Sequence, residues 1–230
     1  MSIGSALSDV RARVQAAALA AGREPASVKL IAVSKLQPAA AVREAYAEGQ
    51  RDFGENYVQE LVQKAEQLSD LPDLRWHLIG HLQRNKARLV APLVSLVHTV
   101  DTAELALELS KRFAGVADGR LPVLVEVSIA GEEQKHGVAP EKLAELLASI
   151  ESLPALSLAG LMCVPPFTDD PAGARPFFDE LARLRERHGG AARLPELSMG
   201  MTHDLEQAVA AGATQVRVGT AIFGARAPKG

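Results

Sequence analysis

One cysteine, Cys163, stands in a chain of 230 residues. An internal disulfide is therefore excluded, and the composition suits a reducing compartment. No apolar run approaches the roughly 20 residues that a membrane-spanning helix needs. Met1 to Arg13 lacks the apolar core of a secretory signal. The formal charge is only -3 and no long basic run occurs, so nucleic-acid binding is not indicated. These absences together predict a soluble cytoplasmic protein. What the chain does have is a 47% share of hydrophobic residues, enough for a large core in one sizeable domain or two small ones.

Apolar runs alternate with helical patterns from end to end. Ala6 to Ala21 predicts an alanine-rich helix capped at Ser5 or Ser8 and stopped at Gly22. Strands are predicted at 30–35, 51–56, 75–80, 96–101, 121–128, 158–164, 197–200 and 215–219. Helices are predicted between them, at 38–48, from 57 to about 68, and at 82–90, 102–114, 140–152, 173–188 and 203–211. No Pro/Gly/Ser-rich linker divides these units. They predict one domain over residues 1–230, an α/β fold of the (β/α)8 TIM-barrel type with an extra N-terminal helix. The alternative is a doubly wound sheet with fewer strands, which follows if the weak strands 52–56 and 197–200 are loops.

The first strand, Leu30-Ile31-Ala32-Val33-Ser34-Lys35, ends on a lysine. At the carboxyl end of a parallel strand its amine stands at the mouth of the sheet, where such folds place their chemistry. A desolvated amine loses part of its charge and becomes a nucleophile. The plain alternative is a solvated lysine opening a loop. Two loops at the far end of the chain bear on the choice. The seventh strand runs into Ser198-Met199-Gly200-Met201-Thr202-His203-Asp204, and the eighth into Gly219-Thr220-Ala221-Ile222-Phe223-Gly224. Each has a glycine that admits an anion close to the backbone and a hydroxyl to bind it, in the position where barrels hold phosphate. Neither is a Walker A loop.

Five segments resemble the pyridoxal phosphate (PLP) homeostasis proteins, which share the barrel of the alanine racemase N-terminal domain. They are Ala32-Val33-Ser34-Lys35, Phe53-Gly54-Glu55-Asn56-Tyr57-Val58-Gln59-Glu60, Trp76-His77-Leu78-Ile79-Gly80-His81-Leu82-Gln83-Arg84-Asn85-Lys86, Leu197-Ser198-Met199-Gly200-Met201, and Val216-Arg217-Val218-Gly219-Thr220-Ala221-Ile222-Phe223-Gly224. The resemblance implies that Lys35 holds PLP as a Schiff base. It implies that Ser198, Gly219 and Thr220 hold the phosphate with Gly200 and Met201 beside them, and that Arg217 faces the pyridine nitrogen. Asn56, His77 and Met162 match positions around the ring. One departure is visible: Cys163-Val164-Pro165 stands where the family often has Ala-Ile-Pro.

The implied chemistry is mild. Burial and Arg217 both lower the pKa of Lys35. Arginine opposite the ring nitrogen stays protonated, so the ring is a weak electron sink. Racemisation by two bases needs a tyrosine, which alanine racemase-like enzymes take from a further domain of the partner subunit. This sequence ends 11 residues after Gly219 and has two tyrosines, Tyr46 and Tyr57, both in early helical segments. The expectation is a monomeric PLP carrier or buffer in vitamin B6 and amino-acid homeostasis, able to pass PLP to apo-enzymes, with little or no racemase activity. The alternatives are a small PLP enzyme such as a racemase or lyase, and a barrel enzyme that forms a Schiff base between Lys35 and a phosphorylated sugar.

Several other residues carry plainer expectations. His77 and His81 are separated by Gly80 and lack a His-Glu-x-x-His pattern, so no zinc site is expected; His77 is expected to point at the barrel mouth. Cys163 is expected to be a small buried residue. Ser34 and Lys35 are strand neighbours facing opposite ways, so no Ser-Lys dyad is expected. Arg183, Arg185 and Arg187 are expected on a solvated face. Glu132, Glu133, Lys135 and His136 form a charged loop on the same end of the fold, and Lys135 is a candidate second PLP contact.

Overall fold

The computed structural model describes residues 2–116, 119–131 and 136–224. Eight parallel strands close into a barrel in chain order. They are β1 (Lys29–Val33), β2 (Asp52–Glu55), β3 (Arg75–Leu78), β4 (Val94–Val100), β5 (Leu121–Glu126), β6 (Leu156–Met162), β7 (Glu196–Ser198) and β8 (Gln215–Val218). β1 pairs with both β2 and β8, which closes the sheet. Both weak segments are strands: β2 pairs with β1 and β3, and β7 with β6 and β8. The doubly wound alternative is thereby overturned. Among the described residues no helix is long and apolar enough to cross a membrane.

The outer layer is α1 (Ile3–Ala20), α2 (Ala39–Ala47), α3 (Val58–Gln67), α4 (Ala87–Val90), α5 (Ala103–Phe113), α6 (Leu143–Glu151), α7 (Arg175–Arg187), α8 (Gly190–Arg193), α9 (Leu205–Ala210) and α10 (Thr220–Phe223). The extra helix α1 packs on α9 and α10. It starts earlier than expected because Ser2 is the cap, its side chain accepting from the Ser5 amide. The helix expected at 82–90 is a 3-10 turn, Arg84–Lys86, running into the single turn of α4. α8 and α10 have four residues each, too few to show a helical period in sequence.

Strand alternation sorts side chains into two compartments. Ala32, Phe53, Trp76, Val97, Val123, Val216 and Val218 face outward into the main core under the helices. The rings of Phe53 and Trp76 lie 6.1 Å apart there. The barrel interior holds a small apolar cluster of Leu96, Leu124 and Met162. Much of the rest is polar: Asp52, His77, His98, Ser198 and Arg217 are all buried. This interior differs from the aliphatic filling usual in such barrels, and it leads up to the mouth.

Candidate functional site

Lys35 stands two residues beyond the end of β1, in a turn. Gln37 N closes the turn on Ser34 O at 3.0 Å. Leu36 adopts φ 60°, the left-handed region, which L side chains enter at a cost. Contacts from α3 hold it there. Glu60 Oε2 accepts from Leu36 N at 2.8 Å. Lys64 Nζ donates to Ser34 O and to Glu55 Oε1, each at 2.7 Å, and lies 3.2 Å from Glu60 Oε2. Ser34 Oγ also donates to Glu55 Oε1 at 2.7 Å. Burial pulls the Glu55 carboxyl above its ordinary range against the stabilising pull of Lys64. Ser34 is thus turned outward, while Lys35 lines a nook with Val33, Gln37, Gly219, Thr220, Phe223 and Gly224.

The late loops meet at this nook. Gly219 leads into α10; a Cβ on it would lie 3.1 Å from Val33 O, so β1 and the β8 loop approach closely. Thr220 Oγ1 lies 3.3 Å from Thr202 Oγ1, bringing the hydroxyls of the two loops together. Gly200 has φ 90°, and its carbonyl accepts from Arg217 N at 2.9 Å. Met201 N donates to Asp204 Oδ1 at 2.6 Å, which turns the loop into α9. Ser198 differs from the other expected phosphate residues. Its hydroxyl is buried in the barrel, 2.7 Å from Arg217 Nη1 and 2.9 Å from His98 Nδ1. The hydroxyl that meets Thr220 belongs to Thr202, to which the sequence analysis gave no separate role.

Arg217 is buried, with Nη2 donating to Cys163 O at 2.9 Å. Met162 lies on the inner face with Leu96 and Leu124. Next to this stands a cavity of about 310 Å³ that includes Asn56, Thr99, Glu126, Ser128 and the rim residues His81 and His136 in its lining. Asn56 Oδ1 and Glu126 Oε2 are buried and have no hydrogen-bond partner among the described residues. Both atoms belong to residues that line the cavity and offer acceptors to whatever occupies it. Burial, aided by repulsion from Asp101 and opposed by Arg217, pushes the Glu126 carboxyl up to about 7. Burial also pushes the Cys163 thiol up to about 12, against the pull of Arg217, so it is inert as a nucleophile.

His77 does not point at the mouth. Its Nε2 lies 2.9 Å from Asp52 Oδ1 at the amino end of β2, and its Nδ1 lies 3.0 Å from His98 Nε2. Asp52 faces inward because its strand neighbour Phe53 takes the outer side. His81 turns away from His77. It lies 3.7 Å from Asp101 Oδ2 and stacks on His136 with ring centres 3.5 Å apart and planes 8° from parallel. His81, Asp101 and His136 each bring one ligand atom to within 4.8 Å of the others at this rim, a grouping that the pairing of His77 with His81 in sequence did not reveal. Arg183 pairs with Glu180 and Arg185 with Glu186, on α7. Glu132, Glu133 and Lys135 lie outside the described residues.

Sequence reasoning named Lys35, Asn56, His77, Met162, Ser198, Gly200, Met201, Arg217, Gly219 and Thr220; the structure gathers Lys35, Gly219 and Thr220 in one nook and turns His77 and Ser198 into the barrel interior. It missed Glu126, Thr202, His98 and Asp52. Glu126 was legible as a carboxylate that closes an otherwise uncharged strand, Leu-Pro-Val-Leu-Val-Glu.

Residues 6–227 match the family of the alanine racemase N-terminal domain. A curated relative from Pseudomonas aeruginosa, named pyridoxal phosphate homeostasis protein, is 50% identical over 97% of this chain and 96% of its own length. One of the same name from Bos taurus is 42% identical over 98% of this chain and 88% of its own length. PipY of Synechococcus elongatus, solved with PLP bound, is 41% identical, covers 96% of this chain and 100% of its own, and superposes with a TM-score of 0.82. Alanine racemase from Corynebacterium glutamicum, 17% identical, covers 95% of this chain and 62% of its own with a TM-score of 0.65; that likeness shows the barrel alone.

Proposed function

The chain belongs to the pyridoxal phosphate homeostasis proteins, built on the alanine racemase N-terminal barrel, and from that premise we propose that it binds PLP at Lys35 and buffers or transfers it without strong turnover. The observation that carries this is the nook in which the amine-bearing Lys35 meets Gly219 and Thr220. The relatives named for PLP homeostasis and the PLP-bound PipY support it.

When bound, PLP supplies an aldehyde for a lysine amine and a ring that withdraws electrons. The residues around the nook suit that group. Lys35 offers the amine, as a Schiff-base partner, from a turn whose backbone is held on both sides. Thr220 and Thr202 offer hydroxyls, and the amides of Thr220 and Ala221 in the first turn of α10 lack intrahelical acceptors and suit a phosphate. Gly219 and Gly200 leave room for the close approach, with Met201 beside them. Arg217 would face the ring nitrogen as a donor and would keep its own proton, which would limit carbanion chemistry. Asn56, with its unpartnered oxygen, and the buried Met162 would flank the ring. Ser198 and His77 act on the cofactor by way of Arg217 in this reading.

Tyr46 bonds to Asp73 on the outside of the barrel, and Tyr57 is exposed at the start of α3. Neither lines the nook or the cavity, so neither is placed as a second base. In this reading the protein is a monomeric cytoplasmic carrier that hands PLP to apo-enzymes, a setting that the single buried thiol fits. The test is uptake of PLP followed by absorbance, in the parent and in Lys35→Ala, with L- and D-alanine then added. A Lys35-dependent band and no change in alanine chirality are expected. The absence of a band overturns the binding, and turnover near about 1 per second overturns the carrier role.

A further inference from the structure

Five buried side chains form one row through the barrel. Arg217 Nη1 lies 2.7 Å from Ser198 Oγ, Ser198 Oγ 2.9 Å from His98 Nδ1, His98 Nε2 3.0 Å from His77 Nδ1, and His77 Nε2 2.9 Å from Asp52 Oδ1. Asp52 is the first residue of β2, at the amino end of the barrel. There Arg75 donates to both its oxygens, at 2.9 and 2.7 Å. Arg217 stands at the other end, bonded to Cys163 O just past β6.

Counting protons fixes the direction of every bond when both histidines are neutral. The ionised Asp52 carboxylate only accepts and arginine only donates, so with each neutral ring holding one proton Ser198 Oγ accepts from Arg217 and gives its one proton to His98 Nδ1. His98 then carries its proton on Nε2 and donates to His77 Nδ1. His77 in turn carries its proton on Nε2 and donates to the Asp52 carboxylate. Burial disfavours an imidazolium at either ring, and Arg217, Arg75 and Lys29 add repulsion from their sides. Against this, Asp52 alone favours a charge on His77. Burial would raise the Asp52 carboxyl, but the bonds from Arg75 and His77 outweigh that and hold it well below the usual range.

We propose that Asp52, His77 and His98 are positioning residues for Arg217, joined to it through Ser198 in a chain whose hydrogen bonds all run toward Asp52. The chain sets the angle at which the guanidinium meets the cofactor, so the amino end of the barrel braces the mouth. It is a brace and not a proton wire: sending a proton toward Asp52 would require Arg217 to give one up, which arginine does not do in proteins.

The role at the cofactor rests on the PLP reading, whereas the tautomers do not, and the experiment separates the two. Two-bond proton–nitrogen NMR of the cofactor-free protein with 15N-histidine reads the tautomers directly. Two of the rings should remain neutral with the proton on Nε2 from about pH 5.5 to about pH 8, a range in which free histidine changes charge. An imidazolium at His77, or a proton on Nδ1 of either buried ring, overturns the chain. In the second arm, Asp52→Ala should raise the PLP dissociation constant about threefold or more, the scale of one weakened hydrogen bond, and shift the cofactor's absorption maximum. Asp52→Asn keeps an acceptor oxygen and should restore both. Unchanged affinity and spectrum in Asp52→Ala overturn the positioning role. Because the NMR arm uses the unaltered protein, it decides the direction of the chain even where Asp52→Ala fails to fold; Ser198→Ala, which cuts the link to Arg217, then tests the positioning role by the same affinity and spectrum, and no change in either overturns it. Failure of the unaltered protein to take up PLP would instead remove the proposed function and leave the tautomer result standing.

Discussion

Lys64 Nζ donates to the carbonyl oxygen of Ser34 at 2.7 Å, which fixes from outside the barrel the peptide group that precedes Lys35. Glu60 does the same for the peptide group that follows, through Leu36 N. The lysine that carries the proposed chemistry thus sits between two backbone groups pinned by one helix, α3. This explains why the Gly-Glu-Asn-Tyr-Val-Gln-Glu stretch and Lys64 stand where they do: buried Glu55 and Lys64 and half-buried Glu60 form one ionic cluster behind the turn.

The cluster predicts a separable effect on stability and on binding. Lys64→Met leaves Glu55 buried without its cation and should destabilise the fold by about 3–5 kcal/mol. Adding Glu55→Gln should recover most of that loss, since a neutral pair is cheap to bury. The double variant should still release PLP faster than the parent, because Ser34 O then keeps only its bond from Gln37 N. Urea unfolding and PLP dissociation measure the two effects; full retention of PLP by the double variant would show that the clamp has no bearing on the site.

Leu36 carries backbone strain at the same turn. Leu36→Gly relieves a left-handed penalty of about 1 kcal/mol but loosens the unfolded chain by a similar amount, so stability should barely change. Leu36→Val, branched at Cβ, should cost more than about 1 kcal/mol. Comparison of urea midpoints checks the order, and a Val variant as stable as the Gly variant would contradict it.

Glu126 predicts a pH slope. Its unfolded carboxyl titrates near about 4.3, whereas in the fold burial lifts it to about 7. Between those values the folded chain keeps a proton that the unfolded chain has lost, so its contribution to stability falls as pH rises and levels off above about 7. Glu126→Gln should match the parent at about pH 4 and exceed it by up to about 3 kcal/mol at about pH 8. Parallel stability profiles for the two proteins would contradict the placement of this carboxyl.

Gly200 is required by its surroundings. A Cβ there would lie 2.4 Å from Ala208 Cβ, in a backbone already at φ 90°. Gly200→Ala should destabilise the protein by about 2–4 kcal/mol and weaken PLP binding, since the same loop carries Thr202. Gly212→Ala, at φ 101° with nothing within 4 Å, has the strain without the clash and should cost about 1 kcal/mol. Equal losses in the two variants would contradict the packing argument.

The barrel was legible because each strand carries its own apolar signal and each is followed by a helical stretch. The segments least certain in sequence, 52–56 and 197–200, are short and polar on one face, and only their neighbours' ladders make them strands. Lys35, Gly219 and Thr220 were legible because strand ends and glycine loops can be placed from topology. The direction of His77 was not. Trp76 takes the outward side and sends His77 inward, and Asp52 with His98 then draws it down, away from the mouth. Ser198 was likewise placed on the right strand, but its hydroxyl turns to Arg217. Contacts between residues as far apart as 98 and 198 lie beyond any local pattern.

The most direct test is covalent. The protein loaded with PLP is reduced with borohydride, digested, and the modified lysine located by mass spectrometry. The label should sit on Lys35 and vanish in Lys35→Ala, whereas a label on another lysine, or none at all, would contradict the account.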